Sequence, residues 1–119
     1  MQRRFLLGLL GIALLGLSAC GWKPQVTATP ITEPWASMDL PVKENAVVWA
    51  STPTELKVVH KDSRALVYTA YNLALAKAGW MPTKKENGDI DYYYYAKGAE
   101  KLEMQLYDFH NTGVIIKKS

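Results

Sequence analysis

Few side chains in this sequence of 119 residues can do chemistry. There is one cysteine, Cys20, and there are two histidines, His60 and His110. Asp62 and Asp108 each lie two residues from a histidine, close enough in sequence for a carboxylate to orient an imidazole for acid–base work. A metal site would need further ligands at sensible spacing, and none follows. Asp89 and Asp91 flank Ile90 and share one strand face. Paired carboxylates are the apparatus of glycoside hydrolysis, but beside a tight turn the same pair serves turn formation. No H-E-x-x-H, G-x-S-x-G or phosphate-loop pattern occurs. The expectation is therefore no catalytic residue, no metal and no cofactor. Two features remain: a lone thiol, and four successive tyrosines, 92 to 95.

The thiol has an informative setting. Arg3 and Arg4 precede thirteen residues, 5–17, without charge. As a helix these would span about 20 Å, short of the roughly 20 residues that cross a bilayer. A basic start, a short apolar run and small residues at its end describe a secretory signal. Leu17-Ser18-Ala19-Cys20 closely resembles the lipobox of bacterial lipoproteins. The resemblance covers the signal region alone. It implies that the Cys20 thiol receives a diacylglycerol group (palmitate-type chains), that residues 1–19 are cleaved away, and that the new amine is acylated. Each buried CH₂ contributes about 0.8 kcal/mol, so two or three chains would anchor the protein durably. Gly21 stands where an aspartate tends to retain enteric lipoproteins at the inner membrane. The resemblance thus implies an outer-membrane protein facing the periplasm rather than an inner-membrane one.

Composition narrows the partners. The whole sequence carries a formal charge of +3. Without Arg3 and Arg4, twelve basic residues remain against eleven acidic ones, a net charge of +1. The lysines are scattered, which argues against a nucleic-acid binder. With Cys20 lipidated no thiol remains for a disulfide, so the fold must rely on its apolar core.

The elements that would position these residues follow from periodicity. Residues 20–45 hold Pro24, Pro30, Pro34 and Pro41 and read as a lipidated cysteine with a proline-rich tether, up to almost 80 Å long if fully extended. Trp22 and Trp35 are unusual in a plain linker; the other reading wraps the segment around the domain and buries both. Residues 46–119 form the expected domain. Residues 46–51 and 56–60 are strand candidates. From 64 to 78, Val67, Ala70, Tyr71, Ala74, Leu75 and Ala78 recur at helical spacing, with Asp62 or Ser63 as N-cap and Gly79 as the left-handed stop. Strands are expected at 80–85, 90–96, 101–109 and 114–116, with Asn87-Gly88 and Gly98 turning the chain. The expected fold is α+β: one helix packed on an antiparallel meander of about four strands, with residues 56–60 as an additional strand at one edge.

Strand alternation means that the four tyrosines cannot all face the core. Ile90, Tyr92, Tyr94 and Ala96 are expected against the helix. Tyr93 and Tyr95 are then expected outward, sharing a face with Tyr107 and Phe109, although a one-residue slip would exchange the two sets. An exposed row of aromatic rings suits a binding platform; equally, tyrosine simply favours strands. The functional expectation is a non-enzymatic, lipid-anchored envelope protein that contacts an envelope protein or peptidoglycan through Tyr93, Tyr95 and Tyr107. The alternative is an exclusion or inhibitor lipoprotein, phage- or plasmid-borne, that blocks a receptor or a lytic enzyme.

Overall fold

A computed structural model describes residues 24–43 and 45–119; Cys20 and Trp22 lie outside the described residues. Six strands form one antiparallel sheet: β1 (Ala46–Ser51), β2 (Glu55–His60), β3 (Met81–Glu86), β4 (Asp91–Lys97), β5 (Glu100–Tyr107) and β6 (Thr112–Lys118). One helix, α1 (Arg64–Lys77), lies on one face. The strand order is β1-β2-β6-β5-β4-β3.

This corrects the expected helix on a four-stranded meander. The sheet has six strands, and residues 55–60 lie in its interior, between β1 and β6. The reason is visible in β2 itself. Leu56, Val58 and His60 are buried on the helix side, while Val59 is buried on the opposite side. A strand buried on both faces belongs inside a sheet. The edge on that side is β1, and the opposite edge is β3, "MPTKKE", which is exposed along its whole length. Its proline and two lysines suit an edge that must not recruit further strands.

The helix is set locally. Ser63 caps it by accepting a hydrogen bond from the Leu66 amide. Gly79 stops it at φ 95°; its amide bonds to Ala76 O, and the Trp80 amide reaches back to Leu75 O. This is the paired closure of a Schellman motif. Val67, Tyr71, Ala74 and Leu75 then press onto the sheet, meeting Leu56, Val58, Leu102, Met104, Leu106, Val114 and Ile116 in a single core.

Residues 24–43 do not stand clear of this core. Trp35 is fully buried and donates from Nε1 to Thr52 O over 2.6 Å; Leu40 is buried beside it. Thr29 N bonds to Val48 O, and Thr32 N to Ser51 Oγ. The segment therefore runs along the outer side of β1. It shields that edge and fills the core, so the folded unit extends upstream of residue 46.

Candidate binding surface

The register decides which tyrosines meet solvent. Gly98 (φ 62°) and Ala99 make a two-residue connection between β4 and β5, pairing Tyr95 with Leu102 and Tyr93 with Met104. Directly opposed residues share a face, and Leu102 and Met104 are core residues. Tyr93 and Tyr95 therefore lie on the helix side, contrary to expectation. Tyr95 is 2% exposed and donates its hydroxyl to Asn72 Oδ1 at 3.0 Å. Tyr93 stacks on Tyr68 of the helix, centroids 4.4 Å apart. Burial raises the pKa of both phenols. Tyr92 and Tyr94 take the open side, opposite Gln105 and Glu103. Of the three expected contact residues, only Tyr107 is there.

The open face carries an aromatic group not foreseen as a unit. Tyr107 lies flat over Gly113, its cross-strand partner. Phe109 stacks on Tyr107 at 5.9 Å and meets Trp49 at 5.9 Å on its other side. Trp49 follows Val48, which is buried on the helix side, so strand alternation places it on this face, where Lys57 Nζ sits 5.0 Å from its ring. Beneath these rings Val59 and Gly113 are buried, while Trp49, Tyr107 and Phe109 are themselves half-buried. Among the described residues, Trp49 Nε1 is the buried side-chain polar atom without a hydrogen-bond partner. Further along, Lys84 Nζ lies 5.7 Å from the Tyr94 ring and pairs with Glu86. The signal for Trp49, an aromatic residue midway along a predicted strand, was present in the sequence. Its neighbour Phe109, brought to it from 60 residues away, was not.

The residues weighed for acid–base work have structural partners. His60 is 3% exposed and shares a 2.7 Å hydrogen bond with the fully buried Tyr71 hydroxyl. Burial pulls the imidazole down to a pKa of about 4 against the opposing charge of Asp62, and burial drives the Tyr71 phenol well up. Both are neutral near pH 7. They floor a groove of about 560 Å³ between α1 and residues 39–43, walled by Leu40, Pro41, Asp62 and Leu66. A neutral imidazole held by a buried phenol ties helix to strand. His110 lies in the β5–β6 turn at φ 54°, accepts from the Gln25 amide at 3.3 Å and sets its ring edge-on to Phe109.

Asp91 does turn chemistry. It accepts from the Gly88 amide, Asn87 and Arg64. Partial burial opposes its ionisation, but these three partners hold its pKa below the usual range. Arg64 also bonds to Asp89 O and, at 2.9 Å, to Asp108. The Asp89–Asp91 pair is thus not free to flank a sugar: Asp91 is occupied by the turn and by Arg64. Among the described residues no group of three or more His, Cys, Asp or Glu is placed to hold a metal, and no helix is long and apolar enough to cross a membrane.

No protein-family model, curated protein or solved structure matches the chain.

Proposed function

We propose that this is a lipid-anchored protein of the bacterial cell envelope, in the outer membrane facing the periplasm, whose small domain is a non-enzymatic binding module. The open sheet face carries the proposal: Tyr92, Tyr94, Tyr107, Phe109 and Trp49 share it, and among the described residues no helix covers it. Half-exposed rings flanked by lysine–glutamate pairs such as Lys84–Glu86 give the mixed apolar and polar character of a transient protein interface. Rings spread over β1, β4, β5 and the turn after β5 fit an extended protein surface better than a single glycan ring. The partner is therefore an envelope protein, and peptidoglycan is the competing ligand. The Leu17-Ser18-Ala19-Cys20 motif supports the location.

The test is photo-crosslinking in living bacterial cells from position 94, with position 73 on the helix exterior as control. A single protein adduct formed from 94 and not from 73, and lost in Tyr92→Ala, supports the reading. Equal adducts from both positions, or retention on purified sacculi that the same substitution abolishes, removes the protein-partner assignment.

A further inference from the structure

The path of residues 24–43 fixes where the chain leaves the domain. The Gln25 amide is held at His110, in the turn between β5 and β6. Cys20 lies five residues earlier. Even fully extended, five residues reach at most about 18 Å. Strand β5 alone adds roughly 24 Å between this end of the sheet and the Lys97–Glu100 end. A membrane-borne Cys20 therefore presents one end of the sheet to the bilayer: the end with His110, the start of α1 and the end of β2. Among the described residues, the prolines expected to form a long tether run instead in a segment packed along β1.

That end has two unlike sides. On the helix side stand Asp62, Asp89, Asp91 and Asp108 against Lys61 and Arg64, the latter paired with Asp91 and Asp108. The excess of carboxylate is repelled by anionic headgroups. On the open side stand Trp49, Phe109 and Tyr107, with Lys57 over the Trp49 ring. Half-exposed indole and phenyl groups beside a lysine stem suit the boundary between headgroup and acyl chain. The aromatic cluster also lies beside the exit point, since Phe109 contacts His110 directly.

We infer that the Trp49–Phe109 corner rests on the phospholipid surface, so that the domain lies tipped against its own membrane. The inference rests on acylation of Cys20. It leaves Tyr92 and Tyr94, nearer the other sheet edge, facing sideways within reach of a partner in the same membrane.

The test uses the full-length protein made in a bacterial host, purified from membranes and reconstituted in phosphatidylethanolamine–phosphatidylglycerol vesicles. Intact mass comes first: an unmodified residue 20 defeats the lipoprotein reading itself. With the acylated protein in hand, tryptophan quenching by lipids brominated near the headgroup is compared between the parent and Trp49→Phe. The parent is expected to show a quenchable component that the variant lacks. In parallel, nitroxide labels at Val47→Cys, on the open face two residues from Trp49, and at Ala99→Cys are exposed to a water-soluble nickel chelate. Several-fold lower collision at 47 than at 99 is expected. Identical quenching in parent and Trp49→Phe overturns the inference, as does equal collision at the two labels or stronger shielding at 99.

Discussion

The Tyr107 ring lies on Gly113 so closely that a Cβ added at 113 would stand 2.5 Å from Tyr107 Cζ. Gly113 sits in an ordinary strand without positive φ, so its lack of a side chain is needed for this contact and not for the backbone. Gly113→Ala should push Tyr107 off the sheet and break its stack with Phe109, at a cost of about 1–3 kcal/mol. In a Tyr107→Ala background the same change should cost nothing or stabilise by about 0.5–1 kcal/mol, because alanine loses less entropy than glycine in a strand. Urea unfolding of the four proteins gives the coupling energy; additive effects would show that the ring does not lie there.

The tyrosine strand divides by face, and substitution should separate its members. Tyr95→Ala removes a buried ring and its bond to Asn72, and should cost about 3–5 kcal/mol. Tyr94→Ala, on the open side, should cost about 1 kcal/mol or less. Thermal unfolding ranks them. A reversed order would mean the strand pairs one residue out of register.

Acid should weaken the fold before carboxylates titrate. The His60 pKa falls from 6.5 unfolded to about 4 folded, so protonation favours the unfolded chain. The contribution of the neutral imidazole is present in full above pH 6.5 and is lost as the pH falls towards 4. Between pH 7.5 and 4.5 the loss should be about 2–3 kcal/mol. His60→Gln should flatten this part of the stability profile, measured by denaturant titration at stepped pH. Asp91, with its pKa lowered, adds its own loss only below its unfolded value of about 3.8. Tyr71→Phe removes the hydrogen bond and should cost about 1 kcal/mol at neutral pH.

Trp35 should behave as a core residue despite its proline-rich surroundings. Trp35→Ala empties a fully buried site and removes the Nε1 bond to Thr52 O, costing about 3–5 kcal/mol. Truncation to residues 46–119 should unfold or aggregate where a start at residue 24 remains cooperative by circular dichroism. Equal melting of the two would make the segment dispensable.

Helix α1 was legible from the sequence because everything that makes it is local. The Val67–Tyr71–Ala74–Leu75 spacing, the Ser63 cap and the Gly79 stop all act within one turn of their neighbours. The strands were legible by alternation and by their turn residues. The outward tyrosines were misplaced even though the decisive signal lay in the sequence: a two-residue connection at Gly98-Ala99 pairs odd positions of β4 with even positions of β5, which puts Tyr95 with Leu102.

The sequence alone determined the local vocabulary of this protein, namely one capped helix, short alternating strands and a lone cysteine behind an apolar run. Only the tertiary structure decided that β2 sits inside the sheet beside β6, that His60 is buried against Tyr71, that Trp35 enters the core, and that Trp49 joins Phe109 and Tyr107. Each of these depends on contacts between residues distant in the chain, such as Val58 with Val114. Local propensity carries no information about such partners; they are chosen by burial of the helix-side face and of the strand interior together.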